Sequence, residues 1–196
     1  KISDIKDQKA QIEGFEAYLK AAIAAKDAGK LDALVKHMVD EKLTHIVVSR
    51  SVLGSFAKAL ADIPNSLHLK VGLQAIEDIS TRLVTFEEPV SVIRSNLSRI
   101  YQAEEEFEQA AVMLEGIPLD SGHRNLTNEY KVDIMVRIAQ LWLEWEEPFK
   151  AQRHINKAVQ LIRFVENKGI LLRYKSCFAS ILDYNRKFLD AAARYY

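Results

Sequence analysis

Three stretches in the second half of the sequence repeat one pattern of large and small residues. A large residue stands at positions 101, 142 and 182, and an alanine stands at positions 110, 151 and 191. Within each set the positions are 41 and 40 residues apart. In helical-hairpin repeats, a small residue on the second helix lets it approach the first helix closely, and large residues fill the groove between repeats. The spacing therefore predicts stacked hairpins of the tetratricopeptide type.

Ten residues are expected to make the contacts within and between these hairpins. They are the large or branched residues and the recurring alanines of the pattern: Leu97, Tyr101, Ala110, Leu114, Ile138, Trp142, Ala151, Ile155, Leu182 and Ala191. The period exceeds the roughly 34 residues of a regular tetratricopeptide repeat. We therefore expect an irregular tetratricopeptide-like solenoid, a right-handed superhelix of antiparallel helix pairs. The alternative is a helical bundle without repeats, in which the shared register would be a coincidence.

Apolar residues recur at spacings of three and four along most of the chain, which predicts helices. The predicted helices span residues 5–27, 31–42, 50–62, 66–83, 88–103, 105–115, 128–145, 148–165, 170–185 and 187–196. Ser49 is the predicted N-cap of the third helix. The one strand-like run, His45–Val48, is too short to build a sheet. The predicted class is all-α, with an N-terminal helical arm at 1–83 and the hairpin repeats at 84–196.

Composition argues against several classes of partner. Lys and Arg together number 27 and Asp and Glu also number 27, so the formal net charge is zero. Binding to nucleic acid depends on clustered cations that neutralise phosphates, and binding to an anionic membrane surface depends on basic segments. No apolar stretch approaches the roughly 20 residues that cross a bilayer. The only cysteine, Cys177, lies in an apolar run, which predicts a buried structural thiol and a reducing intracellular compartment.

The sequence contains no motif for catalysis or cofactor binding. The phosphate-binding patterns G-x-x-x-x-G-K-[ST] and G-x-G-x-x-G and the nucleophile pattern G-x-S-x-G are absent. No two histidines are three or four residues apart, and one cysteine cannot build a thiolate zinc site. His123 is expected to be a solvated loop residue. We therefore expect no enzymatic activity, no cofactor and no bound metal.

Two kinds of charged cluster remain. Glu104–Glu106 and Glu144–Glu147 are predicted to be solvated corners at helix ends rather than catalytic carboxylates. Lys150, Arg153 and Lys157 recur at i, i+3 and i+7, which puts them in one stripe on a helix. This basic stripe is either a hydrated outer face or a contact for an acidic surface of a partner protein.

Five stretches of the sequence resemble a known family. They are Val48–Leu53, Val84–Glu88, Ile93–Tyr101, Ala110–Leu119 and Leu182–Tyr195. Together they are similar to a family of PCI proteins, the fourth subunit of the constitutive photomorphogenesis 9 (COP9) signalosome. Gly116-Ile117-Pro118 and the last stretch are the most specific parts of the resemblance. It covers most of the chain from about residue 30 onward.

The resemblance implies a function. In that family an N-terminal arm of helical repeats precedes a winged-helix PCI module, so this chain would be the arm. The signalosome removes the ubiquitin-like modifier Nedd8 from cullin-RING ubiquitin ligases, and its zinc isopeptidase is a different subunit. The chain would then be a non-catalytic scaffold and substrate-sensing subunit. Expected partners are the other signalosome subunits and a cullin-RING ligase, without nucleic acid or membrane, in the nucleus and cytoplasm. We expect the isolated chain to be monomeric.

Other functions stay open. A related PCI subunit of the proteasome regulatory lid would share the fold, although Gly116-Ile117-Pro118 favours the signalosome. A free-standing tetratricopeptide adaptor would grip the terminal carboxylate of a peptide with cations and amides at set positions of its inner helices. The residues available for this purpose do not form such a repeated pattern: Arg94, Asn96, Arg99 and Arg137. An enzyme in its own right is the third possibility.

Overall fold

The computed structural model describes residues 8–40, 43–122 and 124–195, and those residues form helices and turns without any strand. Ten α-helices lie within them: α1 (Gln8–Ala24), α2 (Ala28–Val39), α3 (Ile46–Ala59), α4 (Asn65–Ser80), α5 (Glu87–Ala103), α6 (Phe107–Glu115), α7 (Asn128–Glu144), α8 (Pro148–Val159), α9 (Lys168–Tyr184) and α10 (Phe188–Tyr195). Short 3₁₀ segments occupy Leu60–Asp62, Leu83–Phe86 and Ile162–Phe164. The predicted all-α class is confirmed.

Several helix ends differ from the predicted ones. Ser49 is not an N-cap, because α3 already begins at Ile46 and the cap is His45, whose Nδ1 accepts a hydrogen bond from the Val47 amide at 3.3 Å. Ser49 is instead buried inside that helix, and the strand-like run forms its first turn. Val48 packs in the helical core, and this tertiary contact outweighs the β preference of a branched residue.

Two further differences concern the second half of the chain. The helix predicted from residue 105 begins at Phe107, because Glu105 adopts a positive φ of 61°. The helix predicted over 148–165 ends at Val159 and is followed by the 3₁₀ segment at Ile162–Phe164. The predicted helix ends at 5, 42 and 196 lie outside the described residues, as does His123.

One turn geometry closes four of the helix pairs. In each, a non-glycine residue has a left-handed φ: Lys26 at 52°, Glu105 at 61°, Glu146 at 57° and Arg186 at 60°. The amide of the following residue donates to a carbonyl five residues back, as from Glu147 to Trp142 at 2.8 Å. This is the Schellman arrangement, which satisfies carbonyls at the end of the first helix and reverses the chain. The last three turn residues are 41 and 40 residues apart, which is the register of the sequence repeat. The α1–α2 pair is a fourth hairpin, which the repeat pattern did not predict.

The chain forms two compact units, Lys1–Ile100 and Tyr101–Tyr196, and the division falls within α5. This division does not test the boundary predicted between residues 83 and 84, which stays a prediction. In the first unit α1 packs on α2 and α3, and α2 packs on α4. Gly72 of α4 lies close to α5 there, because a Cβ at this position would lie 2.9 Å from Leu97 Cδ2 and would require the leucine side chain to shift.

In the second unit, α7 is the central helix and contacts α6, α8 and α9. Its core is formed by apolar residues of α6 to α9, and α10 packs on α9. The recurring alanines Ala110, Ala151 and Ala191 are all buried, at 0%, 0% and 3% exposure. Two of them, together with Trp142, belong to this core cluster. Close helix approach at these positions leaves no room for a longer side chain.

The burial of Ala151 gives a first prediction. Ala151→Leu would overpack the α7–α8 contact and destabilise the second unit by about 1–3 kcal/mol. Urea unfolding followed by tryptophan fluorescence measures this unit directly, because both tryptophans, Trp142 and Trp145, lie in it. Ala192→Leu, at an exposed position of α10, is the matched control and should leave the midpoint unchanged. An unchanged midpoint for Ala151→Leu would contradict the packing.

The left-handed turns give a second prediction. Glycine has no Cβ and adopts positive φ without strain, so Glu146→Gly should stabilise the second unit by about 0.5–1 kcal/mol. A glycine at exposed Lys175, inside α9, should instead cost about 1 kcal/mol. The same urea titration distinguishes the two signs. Destabilisation by both substitutions would mean that the turn at Glu146 stores no strain.

Candidate partner-binding groove

The ten residues predicted to pack the repeats lie inside the helical layers or at their margin. Eight of them are buried, from 0% to 3% exposed: Leu97, Ala110, Leu114, Ile138, Trp142, Ala151, Ile155 and Ala191. Tyr101 and Leu182 are half-buried. In the second unit, six of them belong to the core cluster and Tyr101 packs against it: Ala110, Leu114, Ile138, Trp142, Ala151 and Ile155 are the six.

The basic stripe lies on the outer side of α8, opposite its buried residues Ala151 and Ile155. Its three members differ in their surroundings. Lys150 Nζ lies 4.0 Å from the centre of the Trp142 ring and 4.0 Å from Glu108 Oε1, so its charge is shared between a cation–π contact and a weak ion pair. Arg153 and Lys157 are exposed and make no hydrogen bond or ion pair with any residue that the structure describes.

Beside this stripe, a groove runs between α6 and α8, and α7 forms its floor. Its first cavity, of about 270 Å³, is lined by residues of all three helices: Glu108, Val112, Glu115, Trp142, Lys150, Arg153 and His154. A second cavity, of about 140 Å³, is lined by the apolar residues Leu114, Ile117, Leu119, Met135 and Ile138 and by Glu115, Asp120, His154 and Lys157. Glu115 and His154 line both cavities, so the two adjoin. We call them together the α6–α8 groove.

A hydrogen-bonded bridge crosses the groove where the cavities meet. Glu115 Oε1 accepts a hydrogen bond from Trp142 Nε1 at 2.8 Å and lies 2.9 Å from His154 Nε2. One carboxylate oxygen of α6 therefore holds side chains of both α7 and α8. Sequence reasoning identified Trp142 only as a packing residue and did not identify Glu115 or His154. The three residues are far apart along the chain, so no local pattern could have joined them.

The protonation state of His154 follows from its burial. Desolvation lowers the pKa of His154 below its ordinary value of 6.5, and the nearby charges of Lys157 and Arg153 lower it further. The hydrogen bond and charge of Glu115 act in the opposite direction but are the smaller effect. Near neutral pH the contact is therefore a hydrogen bond from a neutral imidazole Nε2–H to the carboxylate rather than an ion pair.

The side chains that could take part in catalysis or metal binding lie outside the α6–α8 groove or stand alone among the described residues. Cys177 is buried, as predicted, and burial raises the pKa of its thiol to about 11. Over the ranges that the structure covers, no three His, Cys, Asp or Glu side chains are placed to hold a metal ion. The two acidic corners are exposed, as predicted, apart from half-buried Glu147, and they contain the left-handed turn residues Glu105 and Glu146. None of the helices within the described ranges has the length and apolar character of a membrane span.

The His154 bridge gives a third prediction. A pKa lower in the folded than in the unfolded chain means that protonation favours unfolding. The contribution of neutral His154 to stability is complete above pH 6.5 and is lost as the pH falls through its folded pKa. The free energy of unfolding of His154→Gln should therefore fall less between about pH 7.5 and 5 than that of the wild type. Urea titrations across this range measure it, and equal slopes would show that the imidazole is not desolvated.

The sequence matches the family described as "PSMD12/CSN4, N-terminal" over residues 2–196. It is similar to proteins named COP9 signalosome complex subunit 4 from three organisms. It is 39% identical to the Dictyostelium discoideum protein over 194 residues and 37% identical to the Arabidopsis thaliana protein over 194 residues, in each case with 99% of this chain and 49% of the relative covered. It is 32% identical to the Drosophila melanogaster protein over 190 residues, with 95% and 46% covered.

These matches confirm the resemblance noted in the sequence. The chain spans about half the length of the curated relatives it matches.

A solved structure shows the fold independently. A protein from Podosopora anserina with nearly identical TPR-like repeats superimposes with a TM-score of 0.53, covering 97% of this chain and 93% of its own, at 15% identity. At that identity the likeness concerns the fold alone. It confirms the predicted tetratricopeptide-like class.

Proposed function

Because the chain belongs to the PSMD12/CSN4 N-terminal family, we propose that it is a non-catalytic scaffold and substrate-sensing arm of the COP9 signalosome. The observation that carries the proposal is the similarity, over at least 95% of this chain, to signalosome subunit 4 of a slime mould, a plant and a fly. In this role it works in the nucleus and cytoplasm, bound to the other signalosome subunits. It supports removal of Nedd8 from cullin-RING ubiquitin ligases through protein contacts.

The repeat architecture supports this role physically. Stacked helical hairpins contact mainly their neighbours and present extended surfaces for partner proteins. Such an arm affects a reaction elsewhere only if its contacts differ between the resting and the active state of the assembly. The α6–α8 groove, with Arg153 and Lys157 exposed on its rim, is a surface of the described residues that could make such a contact.

The second candidate function is a subunit of the proteasome regulatory lid, since the matched family spans both kinds of protein in its description. The names of the three relatives favour the signalosome. Mass spectrometry of proteins that co-purify with the full-length protein separates the two, and it also separates them from a free-standing peptide-binding adaptor. Recovery of signalosome subunits supports the proposal, and recovery of lid subunits or of none contradicts it.

A deletion tests the sensing role. Removing residues 1–83 from the full-length protein takes away α1 to α4 and leaves α5 whole. We expect the complex to assemble, because the proposal assigns the assembly contacts to the half of the relatives' length that this chain does not match. We expect it to bind its cullin-RING ligase more weakly and to cleave Nedd8 at a changed rate. Pull-down of subunits is the control for assembly. Unchanged ligase affinity and unchanged turnover would reduce the segment to a passive spacer.

A further inference from the structure

The charges around the α6–α8 groove do not cancel once their existing contacts are considered. Three acidic residues line it, and each is already engaged. Glu115 accepts from Trp142 and lies against His154, Glu108 lies 4.0 Å from Lys150, and Asp120 pairs with Lys131 at 2.8 Å. The exposed cations Arg153 and Lys157 have no such contact within the described residues. Among the described residues, the α8 rim of the groove therefore carries two cations without an ion pair, against one carboxylate, Glu115, whose partners Trp142 and His154 are neutral.

The groove also offers apolar surface. Val112 of α6 is 45% exposed beside the first cavity. Trp142 lines the floor of this cavity but is only 3% exposed, and Lys150 Nζ lies 4.0 Å from the centre of its ring, so the accessible apolar contact here is Val112. The second cavity is lined largely by aliphatic side chains of α6, α7 and the segment after α6. Cavities of about 270 and 140 Å³ are the size of one or two side chains each and smaller than most sites for drug-sized molecules. The occupant that fits is therefore an extended segment with separate side chains rather than a compact ligand.

We propose that the α6–α8 groove binds an extended acidic segment of a partner protein, with carboxylates on Arg153 and Lys157 and an apolar side chain against Val112. Arg153 and Lys157 are one helical turn apart on α8, so carboxylates two residues apart in an extended peptide, about 7 Å, can reach both. A nucleic-acid backbone carries a charge on every unit and would place phosphates against Glu108 and Glu115 on the opposite wall. An extended peptide of alternating residues instead turns its carboxylates to α8 and its apolar side chains away from them. The site is a property of the second unit and does not depend on the proposed role in the signalosome.

A direct binding experiment tests this with the 196-residue chain. Trp145→Phe leaves Trp142 as the only tryptophan, on the floor of the groove. A capped peptide of alternating glutamate and leucine should change its fluorescence saturably, and the affinity should fall as salt rises. The peptide with glutamine in place of glutamate should bind at least about tenfold more weakly. Absence of binding, or equal binding of the glutamine peptide, overturns the proposal.

Charge-reversal variants locate the site. Arg153→Glu with Lys157→Glu should weaken binding of the glutamate peptide by about tenfold or more. Lys168→Glu with Lys175→Glu, on exposed positions of α9, makes the same change in net charge and is the matched control. It should leave the affinity close to that of the parent. Equal weakening by both pairs would mean non-specific attraction and would overturn the site.

The apolar half of the proposal has its own variant. Val112→Lys adds a cation at an exposed position, so a purely electrostatic surface would bind the acidic peptide more tightly. The proposed groove would bind it more weakly, because the leucine side chain loses its apolar contact with Val112. Circular dichroism of each variant checks that the helices remain. Tighter binding to Val112→Lys would overturn the requirement for an apolar side chain.

Discussion

The close approach of paired helices is the constraint on which the second unit depends. Ala151 and Ala191 are buried on the second helices of the α7–α8 and α9–α10 pairs, where nothing larger than a methyl group projects, and Ala110 of α6 is buried in the core of the unit. Of the eight predicted packing residues from Ala110 onward, seven are buried and Leu182 is half-buried. The same closeness sets α7 at the centre of the unit, in contact with α6, α8 and α9.

The hairpin turns satisfy the second requirement of such a stack, which is a fixed reversal of the chain. The four turns at Lys26, Glu105, Glu146 and Arg186 each have one residue at positive φ and a hydrogen bond back over five residues. None of the four has glycine at the left-handed position. Lysine, glutamate and arginine occupy it instead, and the strain is balanced by the helix contacts on either side. The acidic corners that sequence reasoning interpreted as solvated ends are two of these turns, and the charges they carry face water.

Sequence reasoning reached the fold because the signals for it are local or periodic. Helical spacing and the 41/40-residue register predicted helices and hairpins, although the turn at Lys26 escaped the search because Leu31 replaces the alanine there. The predicted N-cap at Ser49 is wrong, because His45 caps α3 one turn earlier. The groove could not be predicted, since Glu115, Trp142 and His154 lie on three different helices and their bridge depends on the tertiary arrangement.

The burial of Cys177 has a consequence for how the molecule can be observed. With a thiol pKa of about 11, only about one molecule in 10⁴ carries the reactive thiolate at pH 7. The side chain is also 4% exposed, and it is the chain's only cysteine. A maleimide reagent therefore modifies this chain at a rate governed by opening of the second unit. The rate at which Cys177 is modified therefore reports local unfolding of the second unit without any introduced label.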